Sequence, residues 1–286
     1  MGTQFGFTVS ELIKSNRVTK ESVSVIKTWQ NEKYDETLPD DQIALFLIAC
    51  KGDQELAKRA IETHISVKSV TPELFTGWNV NNENIKKILS VINLAVIPKQ
   101  YLNSVIVIAS FKDTDYLNFD FCSFCQLCLM TAEAILIDNP PEDIIIILDP
   151  RGVTFGHLMA IEMKVLKAFL EYAQDGIPLR IKAIHVLNSN YLVYAGYKMF
   201  QLFVNADEPV VINFHQEGES MEAFHELHVP KEYLPSDYDG DLDSSQEYHE
   251  QNVERLSLMQ FHLSAIQKQF SCRHTNTNGE GYCDVD

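Results

Sequence analysis

Two patterns of apolar and polar positions divide the chain. Residues 1 to about 80 carry apolar side chains at helical spacing and show no convincing strand. From about residue 82, short runs rich in β-branched residues alternate with helical stretches. Strands separated by helices of this length are typical of α/β crossovers and a mostly parallel sheet. We therefore predict an α/β fold preceded by an all-helical module.

The elements follow from capping residues and from β-branched runs. Helices are predicted over 19–33, 40–51, 53–68, 83–93, 120–138, 158–174, 191–204, 220–228 and 246–270. Strands are predicted over 104–110, 144–148, 179–187 and 210–214. The five aliphatic residues 144–148 indicate a strand buried on both faces. The predicted units are 1–80, 81–245, a last helix 246–270, and a disordered polar tail 271–286.

The predicted helix 191–204 has an unusual composition. Lys198 is its one charged residue, and apolar groups cover every side. The helix is too short to span a bilayer. Two explanations stay open at this point: the helix is wholly buried, or it covers something apolar on one side and meets something apolar on the other.

Charge and composition exclude several classes of protein. The net charge of −17 repels phosphates, so we expect no nucleic-acid partner. No run of eighteen apolar residues and no signal peptide is present, which predicts a cytoplasmic protein. The six cysteines are expected as free thiols in that compartment.

Two constellations suggest metal chemistry, but packing better explains the first and a solvated helix end the second. Cys122, Cys125 and Cys128 have a spacing found in iron–sulfur ligation, but the fourth cysteine is missing and apolar neighbours indicate a buried helix face. His225 and His228 lie three apart near His215, yet nothing in the sequence fixes a third ligand. We predict no metal site. No motif for a nucleophile, a dinucleotide or a P-loop is present either, which favours a binding module over an enzyme.

Three stretches together resemble the CRAL-TRIO family, and within it the tocopherol-transfer and cellular retinaldehyde-binding proteins. They are ILDPRGVTFGHL, IPLRIKAIHVLNSNY and YLPSDYDG, in the family's order and spacing. DDQIALFLIACKGDQELAKRA resembles the helical module that precedes the lipid-binding domain. The resemblance implies a bowl with a mostly parallel sheet as its floor, helical walls, and a lid helix that swings open at a membrane.

The resemblance also implies positions for the functional residues. The nearly uncharged helix falls at the lid, with Tyr191, Val193, Tyr194, Tyr197, Phe200 and Phe203. The ligand-contacting positions are nearly all apolar: Cys125, Cys128, Leu129, Ala132, Ile144, Leu148, Ile161, Phe169, Tyr172, Leu179, Ile181 and Ile184. The Tyr172 phenol either supplies the one hydrogen bond that orients a ligand or simply packs.

The chain departs from the tocopherol-transfer proteins in its basic residues. Of the cations that hold phosphoinositide headgroups in those proteins, Arg180 and Lys182 alone are in place. We assign these two residues to any headgroup contact and expect hydrophobic docking to dominate at the membrane.

The predicted function is therefore binding and intermembrane transfer of one tocopherol-, retinoid-, carotenoid- or sterol-like molecule. We expect no catalytic residue and no cofactor, with transient contact to a membrane surface. The alternatives are a phosphoinositide-binding trafficking or signalling adaptor, and a thiol- or metal-dependent enzyme.

Overall fold

The computed structural model describes residues 5–204 and 210–270. The predicted tail 271–286 lies outside the described residues. The first five helices are α1 (Val9–Lys14), α2 (Lys20–Lys33), α3 (Asp40–Ala49), α4 (Gln54–Val70) and α5 (Glu83–Val91). Side chains of Thr8, Thr19, Asp53 and Asn82 accept backbone N–H groups at the starts of α1, α2, α4 and α5. The starts of α2, α4 and α5 lie within one residue of the predicted ones, whereas α1 was not predicted.

Five strands form one sheet in the order β1-β2-β3-β4-β5. They are β1 (Ile92–Tyr101), β2 (Ser104–Phe111), β3 (Asp143–Asp149), β4 (Ile181–Ser189) and β5 (Val211–Gln216). β1 pairs antiparallel with β2, and the remaining pairs are parallel. The prediction of a mostly parallel sheet is confirmed.

β1 was not predicted. Residues 92 and 93 were assigned to the preceding helix, and residues 94–103 were assigned to no element. Pro98 is tolerated because β1 is an edge strand, where a missing N–H removes no ladder bond. Leu102 and Asn103 both have positive φ, 49° and 60°, and make the two-residue turn of a hairpin.

Seven more helices follow β2 in the described part of the chain. They are α6 (Phe121–Leu136), α7 (Phe155–Met159), α8 (Met163–Glu171), α9 (Tyr191–Phe200), α10 (Met221–Leu227), α11 (Ser245–Leu258) and α12 (Gln260–Lys268). Short 3-10 turns occur at Pro72–Leu74, Tyr116–Asn118, Lys231–Tyr233 and Ser236–Tyr238, and a π-helical turn at Tyr172–Gly176. Among the described residues, no helix is long and apolar enough to cross a membrane.

Three predicted helices differ from the structure. The helix predicted over 158–174 is divided into α7, α8 and the π-helical turn, and the last helix breaks at Met259 between α11 and α12. The helix predicted over 191–204 ends earlier, at Phe200. The apolar spacing continues through each break, so periodicity alone did not reveal it.

The sheet separates two hydrophobic cores. The front face, which carries Ile144, Ile146 and Leu148 of β3, packs with the N-terminal helices, α6, α8 and α12. The back face, which carries Ile145 and Ile147, packs with α10, α11 and the segment 229–238. The N-terminal module therefore shares one core with the front of the sheet.

Helix α11 covers the free edge of β1. His249 Nδ1 accepts the Leu94 N–H at 3.0 Å, and Asn252 Nδ2 donates to the Leu94 carbonyl at 3.2 Å. Asn93 Nδ2 donates to Ser245 Oγ at 2.8 Å. These bonds satisfy outward backbone groups that an edge strand otherwise leaves open.

Candidate functional site

An apolar cavity of about 170 Å³ lies on the front face, at the carboxyl end of the sheet. Phe111 of β2 and Leu148 of β3 form part of its floor, Leu158 of α7 and Ile161 its side, and Phe200 of α9 its cover. Pockets for drug-sized ligands are larger, about 300 to 1,000 Å³. A tocopherol-sized guest therefore requires a wall of this cavity to move.

Asp149 is the buried carboxylate at the cavity, and its oxygens are fully engaged. Asp149 accepts hydrogen bonds from Arg151 Nε at 2.9 and 3.0 Å and from Asn188 Nδ2 at 3.0 Å. The Tyr238 hydroxyl approaches it at 3.3 Å. These contacts tie β3 to the end of β4 and to the 236–238 turn. The carboxylate consequently has a structural role.

His157 brings a polar group to the cavity. Its Nδ1 accepts the Thr154 N–H at 3.1 Å at the start of α7, which leaves the proton on Nε2. Nε2 is buried and has no hydrogen-bond partner among the described residues. Burial lowers the pKa of His157, so the ring is neutral near pH 7. The ring therefore places a solvent-inaccessible N–H, unpaired among the described residues, beside the cavity wall.

Sequence reasoning missed His157. The signal was present in Thr154-Phe155-Gly156-His157, where the threonine and the residue three positions on exchange capping bonds. The same pattern usually carries Glu or Gln at the last position. A histidine at this position makes the capping bond with Nδ1 and leaves Nε2 outside the cap.

Helix α9 lies over the cavity at the predicted lid position. Gly196 is buried against α7, where an added Cβ would lie 3.1 Å from Leu158 Cδ2. Tyr194 and Tyr197 contact the Phe214 ring of β5, with centroids 5.0 and 4.9 Å apart. On the outer side Tyr191 is 79% exposed. The helix is therefore not wholly buried. Its inner face packs on α7 and β5, and its outer face exposes Tyr191 to solvent.

The other lid residues are less exposed than Tyr191. Val193 and Tyr197 are half-buried, and Phe200 and Phe203 pack against the front core. Leu202, just beyond α9, is 69% exposed. Phe155 and Met159 of neighbouring α7 are also exposed, at 65% and 71%.

The ligand positions implied by the resemblance do not all meet at the cavity. Leu148 and Ile161 line it. The fully buried members pack in the core: Cys125, Leu129, Ile144, Tyr172 and Leu179. The half-buried members are Cys128, Ala132, Phe169, Ile181 and Ile184. The assignment of these ten to the ligand stays a prediction.

Tyr172 lies inside the front core, in the π-helical turn that contacts α4. Its hydroxyl lies 3.1 Å from His64 Nδ1, and the same nitrogen lies 2.9 Å from the Gly176 carbonyl oxygen. Its ring packs on Phe75 with centroids 4.8 Å apart. Burial raises the pKa of Tyr172 well above its usual value. The phenol thus joins the N-terminal module to the sheet domain and does not line the described cavity.

Arg180 and Lys182 lie at the amino end of β4, beside the start of β3. Arg180 forms an ion pair with the buried Asp143, whose other oxygen accepts the Ser104 hydroxyl. Lys182 Nζ donates to the same Ser104 hydroxyl at 3.3 Å. Both cations therefore make intramolecular contacts, and their assignment to a lipid headgroup stays a prediction.

The three cysteines of α6 pack as thiols. Burial raises the pKa of Cys122 to about 11 and that of Cys128 to about 12, and raises the pKa of Cys125 well above its usual value. Thiolate is the form that attacks electrophiles and binds metals. The arrangement thus favours packing over thiol chemistry.

Three histidines meet on the back face of the sheet. They are His185 of β4, His215 of β5 and His228 at the end of α10, and a nitrogen of each lies within 4.8 Å of the others. The sequence pattern had brought His215, His225 and His228 together. His185 supplies the third member instead, because parallel β4 and β5 place it beside the strand of His215.

Comparison with known proteins agrees with the fold. The CRAL/TRIO domain model matches residues 99–240. These residues form a CRAL/TRIO domain. Over 208 residues, 71% of this chain and 58% of the relative, the chain is 25% identical to rat Clavesin-1. The human alpha-tocopherol transfer protein-like protein is 24% identical over 207 residues, 71% of this chain and 59% of that protein.

The matched segment therefore spans somewhat under three fifths of each of these relatives. Among solved structures, the crystal structure of Sfh5 matches with a TM-score of 0.48 and 12% identity, covering 87% of this chain and 96% of that one. The CRAL/TRIO resemblance inferred from the three sequence stretches is confirmed. The domain includes the hairpin turn, the cavity floor, α9 and the histidine cluster.

Proposed function

We propose that the chain binds one hydrophobic small molecule on the front face of its sheet and carries it between membranes without chemical change. The observation that supports this most directly is the apolar cavity beneath α9, with Phe200 in its wall. The CRAL/TRIO match supports the same class of function, since one relative is named for tocopherol transfer. Tocopherol-, retinoid-, carotenoid- and sterol-like lipids are the ligand classes in question.

Movement of α9 enlarges the site in this proposal. The cavity holds about 170 Å³, so a larger guest displaces Phe200 and the side of α9 that packs on Leu158. Opening exposes apolar surface to water at roughly 25 cal/mol per Å². A bilayer removes that cost by covering the helix with hydrocarbon. The open state is therefore favoured at a membrane and the closed state in water.

His157 Nε2–H is a buried donor without a partner among the described residues, and the His157 ring lines the cavity. A guest that moves the covering side chains and brings a hydroxyl or carbonyl oxygen to this donor gains about 1–3 kcal/mol, whereas a pure hydrocarbon leaves the donor as it is. Tocopherols, retinoids and sterols carry such an oxygen at one end.

Solvent extraction of the purified chain, followed by mass spectrometry, tests for a bound lipid. Titration with the intrinsically fluorescent lipids tocopherol, retinol and dehydroergosterol then measures affinity. Ile161→Trp fills the cavity and should weaken binding at least about 10-fold, since a lost apolar contact surface of a few tens of Å² costs over 1 kcal/mol. Met163→Trp, two positions on at an exposed site, should bind as the wild type does. Equal binding by both variants, or no lipid bound by the wild type, contradicts the proposal.

We expect the membrane contact to be hydrophobic, transient and peripheral, on a cytoplasmic surface. Arg180 and Lys182 are engaged by Asp143 and Ser104, and the chain carries a net charge of −17. Flotation with phosphatidylcholine vesicles should therefore change little when phosphatidylinositol bisphosphate is added. A steep rise with that lipid, abolished by Arg180→Ala with Lys182→Ala, would instead support the adaptor function.

A further inference from the structure

The back face of the sheet carries a histidine cluster that the lipid-carrier function does not use. His185 is buried on β4, and its Nδ1 lies 3.1 Å from His215 Nε2 on β5. The His228 ring lies 4.7 and 5.0 Å from those two rings, centroid to centroid. The cavity lies on the opposite face, so the two features are separated by the sheet.

The second nitrogen of His215 faces a carboxylate. His215 Nδ1 lies 3.6 Å from Glu219 Oε2, and that oxygen also accepts the Gln216 N–H at 2.9 Å. The separation from Nδ1 is longer than a hydrogen bond, so the carboxylate acts on the ring by its charge and favours a proton on Nδ1. This is the arrangement that commonly supports a metal-bound histidine from its outer side. In this structure Nε2 is the atom directed at His185.

The cluster lies in an apolar frame. Phe224 of α10 packs edge-on to His185 and His215 and also contacts His228.

The positions of the nitrogens fit one ion after a small adjustment. Zinc binds imidazole nitrogen at about 2.0–2.1 Å in tetrahedral geometry, which separates two ligand nitrogens by about 3.3 Å. His185 and His215 already meet at 3.1 Å, and all three nitrogens lie within 4.8 Å. A crevice of about 60 Å³ lies beside His215 and His228 and is bordered by Gln216 and Glu219. Its volume suffices for a water molecule as a fourth ligand.

We propose that His185, His215 and His228 bind one divalent transition-metal ion of the class that prefers imidazole, with Zn²⁺ as the reference ion. The ion joins β4 and β5 to the end of α10, and Glu219 supports His215 from outside. The alternative is a packed cluster with an N–H···N bond between His185 and His215, and the test separates the two.

The test is a Zn²⁺ titration of the full chain in competition with a chromogenic chelator. We expect one tight equivalent. His228→Gln, at a half-buried helix end, should weaken it at least about 10-fold, and Glu219→Gln by a smaller factor through the loss of the negative charge beside His215. The matched control is His225→Gln. His225 is on the same helix, but its Nδ1 faces the Val229 carbonyl oxygen at 3.3 Å, so its removal should leave the affinity within about twofold.

Substitution by Co²⁺ identifies the ligands. A site of three imidazoles and water gives visible d–d bands without the strong near-ultraviolet bands of thiolate-to-cobalt charge transfer. Replacing Cys122, Cys125 and Cys128 by Ser should leave these spectra unchanged. The absence of a tight equivalent, thiolate bands in the bound form, or equal weakening by His225→Gln and His228→Gln would each overturn the proposal.

Discussion

At the scale of single residues, buried polar side chains hold the chain's elements together. Tyr172 and His64 join the π-helical turn to α4, and His249 holds the edge of β1 to α11. Each makes its bond inside an apolar environment, where an unsatisfied partner is costly. Substitutions of these residues should therefore lower the stability of the protein without changing its affinity for a ligand.

Tyr172→Phe tests that separation. The substitution removes the bond to His64 Nδ1 and keeps the ring on Phe75, so we expect a loss of about 1 kcal/mol in the free energy of unfolding. Affinity for tocopherol or retinol should not change, because the residue does not line the cavity. Urea unfolding and fluorescence titration measure the two quantities. Reduced affinity with unchanged stability would restore the ligand-orienting role that the resemblance implies.

His249 should make stability depend on pH. Burial lowers its pKa in the folded state to about 4, with Lys112 acting in the same direction, whereas the unfolded side chain titrates near 6.5. Between these values the unfolded chain binds more protons, so the free energy of unfolding falls as pH falls from about 6.5 to about 4. Protonation also removes the acceptor for the Leu94 N–H.

The measurement compares urea unfolding of the wild type and His249→Gln across pH 4.5–7.5. Glutamine does not titrate, so the variant should lose less stability on acidification, while all other groups contribute to both curves. Parallel curves would show that His249 does not carry this dependence.

Residue roles were the least predictable part of the site. The resemblance placed Leu148 and Ile161 at the cavity, where the structure has them, yet it also placed Tyr172 with the ligand. His157 and His185 were not recognised, because neither belongs to a local motif of known chemistry. Their significance comes from burial and from neighbours distant in sequence, such as His215 on the adjoining strand.

At the scale of elements, strands were predicted more accurately than the packing around them. The β-branched runs placed β2 to β5 within a few residues of their bounds, since buried parallel strands are apolar on both faces. β1 was missed because an edge strand tolerates Pro98 and polar residues. The composition of α9 left two explanations open, and the exposure of Tyr191 excludes whole burial, while a role of the outer face at a membrane stays a prediction.

The contact between α9 and α7 should control opening. Gly196→Leu places a Cβ 3.1 Å from Leu158 Cδ2 and adds three further carbons beyond it, so we expect the helix to be displaced outward. We expect more binding to phosphatidylcholine vesicles and faster transfer of fluorescent tocopherol, with the closed state destabilised by about 1–3 kcal/mol.

Ala195→Leu is the matched control, because Ala195 is exposed on the same helix. It should leave the transfer rate near that of the wild type. If both variants increase transfer equally, added hydrophobicity and not displacement of the helix is the cause.

At the scale of the whole molecule, the helical module and the sheet domain behave as one packed unit. The front core runs from Phe7 and Leu12 through the sheet to Leu263 and Ile266. Lys68 of α4 donates to the Ile266 carbonyl of α12 at 2.7 Å, which links the module to the last helix. The change in sequence pattern near residue 80 therefore marks a change of architecture within a continuous core.

This continuity predicts a single unfolding transition. Both tryptophans, Trp29 and Trp78, lie in the first 80 residues, so their fluorescence reports on the module, whereas far-ultraviolet circular dichroism reports on the whole chain. We expect the two signals to give the same urea midpoint. A fluorescence transition at lower urea would show that the module unfolds by itself.

The covered edge of β1 has a consequence for shortened forms of the protein. A chain that stopped near residue 244 would retain every strand of the sheet but lose the helix whose histidine and asparagine occupy the Leu94 backbone groups. The exposed edge of β1 could then form backbone hydrogen bonds with the β1 edge of another molecule. We therefore expect a chain truncated near residue 244 to aggregate through this edge.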